Sequence, residues 1–383
     1  MITPYSVISA IIWSNIFIVI LYLLRTKKFT INAFGIIPIV LITASCILRL
    51  FICFDLPFTR GVFIYDGFAS FVEWISKPMF SFWNCQVTIK HILIIVWLVG
   101  TILGATNFVC ASIRFHINCR KRIQHVNSDV IDIAKSIASE YGISRYQVFN
   151  HPLVSEPMVY GVITPTILLP TYGIDRDEMK FILTHELYHI AHHDILIKAC
   201  AEIIRIVFWW NPFSSLFCKE LNHVLELRND NGIIKKKSEE YRCGYALAIV
   251  NMAKKAALEK SELAGKSGVF CGFVSKKHET AIAQRVNLVL NYKTQPIINA
   301  CGLYLLIVAL FIASHSFVIQ PGWEPSEEQY GDTFALDSET IENSYFVPKE
   351  NGMYELFING ESFGEVYPEE VEKPPFNEIR KER

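Results

Sequence analysis

Long apolar runs divide this chain more sharply than any single motif does. Four of them stand out, at residues 7–24, 31–53, 92–113 and 298–318. Each is close to the ~20 residues that an α-helix needs to cross a bilayer core, and each contains few or no charges. The pattern predicts a membrane protein with four transmembrane helices, the fourth of them within residues 296–319.

Between the third and fourth runs the hydrophobic period changes. "DVIDIAKSIASEYGI" has helical spacing, whereas "YQVFN" and "MVYGVITPTILLP" alternate and are rich in β-branched residues, as strands are. We therefore expect an α+β domain over residues 115–295. Pro165 cannot donate a hydrogen bond to a sheet ladder, which favours an edge position for the second strand.

A helix is predicted to begin just after Asp175, which serves as the N-cap. Glu178, three residues on, completes a capping-box-like pair before "MKFILTHELYHIAHHD". The following stretch, 195–210, is apolar but carries three charged residues. It is too short and too charged for a clear fifth span, so a buried or interfacial helix is favoured over a membrane-inserted one.

Basic residues orient the predicted spans. "RTKK" after the first run and "RFHINCRKR" after the third belong in the cytoplasm by the positive-inside rule. Residues 1–114 then hold three spans with an outer loop at 55–90, the domain at 115–295 is cytoplasmic, and 320–383 form an extracytoplasmic tail. The tail is acidic, and Asn359-Gly360 between β-rich segments predicts a hairpin, so we expect a small β-rich module.

Composition agrees with a membrane protein, since 51% of the residues are hydrophobic and the mean hydropathy is +0.30. The first run lacks a preceding basic segment and ends in Arg and Lys, so it is predicted to be a retained anchor rather than a cleaved signal. None of the ten cysteines forms a CxxC pair, which predicts reduced thiols and no cysteine-ligated zinc.

The candidate chemistry lies in "THELYHIAHHD". His185 and His189 are four residues apart, so on a helix they share one face and can bind one ion. Glu186 can then act as a general base on a water activated by zinc. A chance HExxH is the competing interpretation, and a third ligand is needed to decide between them.

Three patterns compete for that third ligand. A metzincin would have a histidine where this chain has Ile195, which excludes that class. His193 extends the histidine row by another turn and is disfavoured because the helix face diverges from the ion. Glu226 on a later helix could complete a His₂Glu site, with Asp230 one turn on as hydrogen-bond acceptor for a ligand imidazole. Spacing alone does not separate this from a solvated helix face.

These residues resemble the bacterial membrane metallopeptidases of the BlaR/MecR antirepressor type, which are gluzincin-like. The resemblance covers most of residues 1–318. Five segments carry it: "EPMVYGVITPTILLP", "HELYHIAHHD", "FWWNPF", "LELRND" and "QRVNLVLNYK". It implies three amino-terminal spans, a cytoplasmic zinc domain and a fourth span before an outer domain.

The resemblance also implies site roles, carried over by position. His185, His189 and Glu226 would be the ligands of one Zn²⁺ per chain, and Glu186 the general base. Asp230 and Asp194 would support the ligands. His192 and His193 are left out of the catalytic set on other grounds, because histidines in such positions are more often solvated than catalytic. The strand at Gly161, Thr164 and Ile167 would bind substrate backbone by strand addition. His223, one turn before Glu226, could steady an oxyanion, although a plain polar helix residue is favoured.

Two departures from the family pattern concern the site. Asn229 stands at the usual cysteine before the aspartate, and His192 at the usual arginine of HxxRxD. Neither position is a ligand, so the zinc chemistry is not affected. A third departure lies outside: the tail has no SxxK or KTG, so we expect no penicillin-binding sensor domain and no acylation by β-lactams.

The best-supported function from sequence is an integral-membrane zinc endopeptidase of the bacterial plasma membrane. It would respond to a signal and cleave a cytoplasmic regulatory protein, such as a DNA-binding repressor, or itself. Two alternatives are a non-proteolytic transducer with a structural zinc site and a housekeeping protease resembling CAAX prenyl or heat-shock membrane endopeptidases. The expected partners are the protein substrate and membrane lipid, without direct nucleic-acid binding, and a homodimer is left open.

Overall fold

A computed structural model describes the whole chain except a few short segments and one longer one. The segments outside the described residues are 1–2, 28–33, 65, 83–84, 153, 268–274, 293–296, 323–340, 342, 350–351, 373–375 and 382–383. Contacts within the chain divide it into two units. The first contains Met1–Phe63 and Phe71–Gln320, and the second contains Ile64–Ser70 and Pro321–Arg383.

Helices dominate the first unit, and short strands are interspersed among them. The helices are α1 Pro4–Thr26, α2 Ile37–Phe51, α3 Asp66–Ser76 (part of which belongs to the second unit), α4 Ile89–Lys121, α5 Ser128–Glu140, α6 Arg176–Ala191, α7 Asp194–Val207, α8 Pro212–Ile234, α9 Glu239–Ser267, α10 Ser275–Leu290 and α11 Ile297–Ala313. The strands are β1 Arg60–Ile64, β2 Pro78–Phe82, β3 Cys85–Thr88, β4 Gln124–His125, β5 Gln147–Asn150, β6 Met158–Tyr160, β7 Thr166–Leu169 and β8 Phe317–Pro321.

Among the described residues, two helices are long and apolar enough to cross a membrane. They are α1, with 23 residues, and α4, with 33 residues. Thr3 and Ser6 form a capping box at the start of α1, and Pro4 occupies its first turn, where a missing N–H costs nothing. The second and fourth predicted spans coincide with α2 and α11, which have 15 and 17 residues. The count of four spans therefore stays a prediction, because both helices are shorter than a bilayer core requires.

The sheet that borders the candidate site has the strand order β4-β5-β7-β6. Strand β7 is parallel to β5 and antiparallel to β6, and all its residues are buried. The segment predicted as one edge strand thus forms two strands, and the edge position is correct for β6 and wrong for β7. Pro165 immediately precedes β7, where its missing N–H interrupts no ladder hydrogen bond.

The turn between β6 and β7 depends on a glycine. Gly161 has a φ of +86°, and a Cβ placed on it would lie 2.8 Å from the carbonyl oxygen of Thr164. Glycine adopts this left-handed conformation without the steric cost that a side chain brings. The conformation brings the chain back at once into the buried strand.

Helix α6 packs on this sheet through an apolar face. Leu183 and Leu187 are fully buried in one cluster with Ile167 of β7 and Ala134 of α5. The predicted N-cap is confirmed, since Asp175 accepts a hydrogen bond from the backbone N–H of Asp177.

The predicted capping box does not form at the start of α6. Glu178 accepts hydrogen bonds from Asn251 and Lys255 of α9 instead. Its carboxylate therefore ties α6 to α9 rather than to its own first turn.

The second unit contains a small β module. Its strands β9 Ser344–Pro348, β10 Tyr354–Ile358, β11 Glu361–Val366 and β12 Arg380–Lys381 have the order β11-β10-β9-β12, and helix α12 Pro368–Val371 follows β11. The predicted hairpin is confirmed, because β10 and β11 pair in antiparallel fashion around Asn359 and Gly360, both with positive φ. Phe346, Leu356, Val371 and Ile379 form its core.

Candidate metal centre

Helix α6 places two imidazoles and one carboxylate at the same point. His185 and His189 lie one turn apart, with ring centroids separated by 4.7 Å and Nε2 atoms separated by 3.1 Å. Glu186 follows the first histidine, and all three side chains are buried. The helical spacing seen in the sequence therefore produces a close pair of nitrogen donors beside an acid.

Helix α8 brings a third donor to the pair. The Glu226 carboxylate lies 3.1 Å from Nε2 of His185 and 3.4 Å from Nε2 of His189. A glycine makes room for this packing, because a Cβ on Gly232 would overlap the hydroxyl end of Tyr188 on α6. The two helices can therefore pack closely enough for their polar groups to meet.

The spacing of the three donors can be compared with what zinc requires. Tetrahedral bonds of about 2.0–2.1 Å place neighbouring donor atoms about 3.3 Å apart. The separations here are close to that value: 3.1 Å between the two Nε2 atoms, 3.1 Å from Glu226 Oε2 to His185 and 3.4 Å from Glu226 Oε1 to His189. Two imidazoles and one carboxylate also form a donor set used by zinc hydrolases, so these residues fit a zinc ion.

The outer nitrogen of His189 is fixed by a carboxylate. Its Nδ1–H donates to Asp194 Oδ2 at 2.7 Å, which leaves Nε2 directed toward the other donors. Asp194 is 1% exposed, and it also accepts hydrogen bonds from Asn229 and Arg228. The residue at the family's usual cysteine position, Asn229, thus helps to hold the carboxylate that orients a histidine.

His185 is held by a longer relay. Its Nδ1–H donates to the hydroxyl of Tyr245 at 2.8 Å, and that hydroxyl donates to Asp230 at 2.7 Å. Asp230 itself lies 3.5 Å from the histidine nitrogen. Tyr245 therefore stands between the two residues for which the sequence suggested direct contact. In the sequence, Tyr245 lies within an apolar helical segment, which indicated only a core residue.

Arg285 of α10 was also missed by sequence reasoning. It donates to both oxygens of Asp230, at 2.6 and 2.9 Å, and its Nη1 lies 3.2 Å from Glu226. Two signals in the sequence pointed to it: one charged residue within the apolar pattern "QRVNLVL", and the place of that pattern in a segment that resembles the family. Arg285 therefore contacts both Asp230, on the Nδ1 side of His185, and Glu226, on its Nε2 side.

These neighbours determine the charge states of the centre. Burial by itself would raise the pKa of Glu226, but Arg285 and the two imidazoles outweigh it and hold that pKa well below its usual range. Burial alone would lower the pKa of His189, yet its bonds to Asp194 and Glu226 raise it to about 9. Glu226 is therefore an anion at neutral pH, which suits a cation ligand.

A cavity of about 790 Å³ opens onto these groups. Its lining includes His185, Glu186, His189, Glu226 and His223, together with Met158 and Val159 of the edge strand β6. The predicted strand residues lie elsewhere: Gly161 and Thr164 are in the following turn, and Ile167 is fully buried in β7. The described residues therefore present β6, not β7, to the cavity.

The remaining histidines of the motif lie outside this arrangement. His192 is exposed and stacks on Tyr188 with ring centroids 4.1 Å apart. His193 is exposed and has a φ of 55°, at the turn that joins α6 to α7. This turn redirects the chain so that Asp194 reaches back to His189.

Asp194→Asn tests the support of His189. An amide accepts the imidazole N–H less strongly than a carboxylate, so zinc affinity should fall about 10–100-fold. Metal titration of the purified full chain with a competing chelator measures it. Asp177→Asn, in the exposed first turn of α6, is the control and should bind zinc like the wild type. Unchanged affinity in Asp194→Asn would mean that the hydrogen bond does not position His189.

Comparison with known proteins assigns the chain to a family. The family model described as BlaR1 peptidase M56 matches residues 80–289, which is more than half of the 383 residues. The chain belongs to the BlaR1 peptidase M56 family. The expected resemblance to membrane metallopeptidases of the BlaR/MecR type is thereby confirmed at the level of the family.

Two curated bacterial proteins illustrate the similarity of this M56 chain to known sequences. The regulatory protein BlaR1 of Bacillus licheniformis is 27% identical over 241 residues, which cover 61% of this chain and 39% of the relative. The methicillin resistance mecR1 protein of Staphylococcus aureus is 21% identical over 253 residues, with 59% and 40% covered. The chain therefore spans about two fifths of the length of these relatives.

Proposed function

We propose that this chain is a zinc-dependent endopeptidase of the bacterial plasma membrane that cleaves a cytoplasmic regulatory protein, itself, or both. The observation that carries the proposal is the meeting of His185, His189 and Glu226 at zinc-like spacings, beside Glu186 and at the wall of an open cavity. The M56 family supports metallopeptidase chemistry in this chain. A repressor as substrate is inferred from the resemblance to antirepressors.

In this proposal each residue has a defined role. His185, His189 and Glu226 hold the zinc ion, which when bound supplies Lewis acidity at neutral pH. The Glu186 carboxylate takes a proton from the attacking water and passes it to the leaving amine. Asp194 and the relay from Tyr245 to Asp230 keep the imidazoles in the tautomer whose Nε2 binds metal.

Substrate backbone would add to the edge of β6 that pairs with no strand in the described part of the chain. That edge lines the cavity through Met158 and Val159, and an unpaired strand edge offers N–H and C=O groups to an extended peptide. This replaces the role first assigned to Gly161, Thr164 and Ile167. His223 also lines the cavity, and an oxyanion contact from it stays a prediction.

The membrane arrangement forms part of the same proposal. Helices α1, α2, α4 and α11 would be the four spans, residues 115–295 the cytoplasmic peptidase domain and 320–383 the extracytoplasmic tail. The basic ends of α1 and α4 support this orientation by the positive-inside rule. The site would then face cytoplasmic proteins rather than nucleic acid, and a homodimer stays open.

Metal removal tests the proposal. Purified full chain treated with a strong chelator should lose self-cleavage and cleavage of labelled casein, and about one zinc ion per chain should restore both. Magnesium, which prefers oxygen ligands, is the control and should restore neither. Cleavage that survives complete removal of zinc would refute the proposed chemistry.

The main alternative is a transducer whose zinc only holds helices together. A structural zinc site is normally closed by four protein ligands. The described residues bring together only three metal-binding groups here, and these line a cavity with Glu186 beside them. The arrangement therefore favours an enzyme.

A further inference from the structure

Helices α7 and α8 form a hairpin that packs against both candidate membrane helices. On one side, Trp209 lies where a Cβ on Gly100 of α4 would be, and Ile206 approaches Gly104, one turn further along. Glycines four residues apart let helices approach closely in membranes. On the other side, Phe217 and Leu221 of α8 share a core with residues of α1 and α2.

The tip of this hairpin reaches the middle of α1. The side-chain amide of Asn211 donates to Asn15 Oδ1 at 2.9 Å. Asn15 lies eleven residues from each end of α1, which is about 16 Å at 1.5 Å per residue. The turn between the arms therefore lies at half the depth of a helix long enough to cross a bilayer.

Polar backbone groups at the tip have partners, as this depth requires. Trp97 Nε1 of α4 donates to the carbonyl of Val207 at 2.8 Å, and Ser214 Oγ donates to the carbonyl of Phe208 at 3.1 Å. The side chain of Asn211 accepts from the N–H of Phe213. Irregular backbone is tolerated within a bilayer only when protein satisfies its polar groups. The tip meets that condition at these groups.

The outer face of the hairpin is an apolar stripe along α7 and its end. It consists of Leu196, Cys200, Ile203 and Trp210, which recur at helical spacing and are all exposed. The neighbouring Glu202 and Arg205 pair with each other. The adjacent helix α4 is also exposed, since none of the residues in its most apolar stretch is buried. The stripe and α4 therefore present apolar surfaces from two elements in contact.

We propose that this hairpin is a re-entrant membrane element and that the stripe contacts lipid acyl chains. Two observations point to acyl chains as the contact. The stripe continues the exposed apolar surface of α4, and the tip lies at the depth of Asn15, where a helix is surrounded by hydrocarbon. The first interpretation of residues 195–210, as a buried or interfacial helix, is replaced by insertion to mid-bilayer. Two separate helices, α4 and α1, hold the tip there.

The insertion connects the membrane to the candidate metal centre. Asp194, which holds His189, begins α7, and Glu226 lies on α8. Both arms of the inserted hairpin thus carry a group of the centre. A change in how α1 or α4 packs against the tip would move the partner of one histidine and a candidate ligand together.

Thiol labelling tests the insertion in native membranes. The full chain carries Ile203→Cys or Ile131→Cys, and fragmented membranes with both faces open receive a charged maleimide. Ile203 is 56% exposed in the fold and Ile131, on the amphipathic helix α5, only 39%. Position 203 should nevertheless label at least about tenfold more slowly, because maleimide needs a thiolate in water. Equal or faster labelling at 203 would overturn the proposal.

The unaltered chain provides a second measurement that does not depend on a variant. Cys200 on the stripe, Cys110 on α4 and Cys243 on α9 are all exposed in the fold. Insertion predicts slow labelling of Cys200, as for Cys110, and fast labelling of Cys243, read by peptide mass spectrometry. Labelling of Cys200 as fast as Cys243 would contradict it. Neither measurement involves cleavage, so the insertion and the peptidase function stand or fall separately.

Discussion

Glu186→Gln should abolish cleavage while the zinc content stays at the wild-type level. The amide is nearly isosteric with the carboxylate, but it cannot take a proton from water or deliver one to the leaving amine. General acid–base catalysis contributes about 10²–10⁴-fold in rate, so residual cleavage should fall by at least that factor. Zinc content by elemental analysis and cleavage of labelled casein by the same preparation measure both halves of the prediction.

Glu178→Gln is the matched control for this experiment. It makes the same change two turns earlier on α6, where the carboxylate bonds to α9 rather than facing the metal centre. It should cleave like the wild type. If Glu186→Gln also cleaves at the wild-type rate, Glu186 is not the base. If it stops cleaving but still transmits its signal, the chain acts as a transducer rather than through proteolysis.

Sequence reasoning succeeded for the part of the centre that is local. His185, Glu186 and His189 are brought together by one helical turn, a geometry that the spacing alone determines. The N-cap at Asp175 and the turn at Asn359-Gly360 were predictable for the same reason, because their conformation depends on neighbours in sequence. These predictions needed no knowledge of tertiary packing.

The rest of the centre depends on contacts between distant helices. Tyr245 and Arg285 reach it from α9 and α10, which no sequence period relates to α6. Tyr245 sits in an apolar helical pattern, so its hydroxyl gave no sign of a polar partner. Glu226 was a candidate from its helix position, but only the resemblance favoured it over a solvated glutamate, which is the usual state of an acid on an exposed-looking helix.

The strand and membrane predictions show a similar limit. Pro165 was interpreted as a sign of an edge strand. It lies one residue before the start of β7, however, so its missing N–H does not prevent β7 from pairing on both sides. Residues 195–210 were judged by length and charge as a single helix. Polar groups in this stretch and at the next residue in fact pair within the fold: Glu202 bonds Arg205, and Asn211 bonds Asn15. Hydropathy counts charges and cannot detect such partners.

Glu226→Ala and His185→Ala should each lose zinc at concentrations that saturate the wild type. Each change removes one of three protein donors. Loss of a residue that only supports a ligand lowers zinc affinity by about 10–100-fold, and loss of a ligand itself should lower it further. The loss should be larger for Glu226→Ala. Without this anion, Lys198 and Arg285 lose the carboxylate that lies within 4 Å of both, and Asp230, which still pairs with Arg285, offsets the positive charge beside the ion only in part. Titration against a chelator of known affinity measures the change, and cleavage should disappear with the metal.

Two controls separate ligand loss from general damage. Asn222→Ala changes another cavity-lining residue on α8, and His192→Ala removes an exposed histidine next to α6. Both should keep wild-type zinc affinity. Elution as a monodisperse species in detergent shows that each variant is folded. If folded Glu226→Ala binds zinc normally while His185→Ala does not, the third ligand is another group. Glu186, which lines the same cavity beside the two histidines, is then the next carboxylate to test.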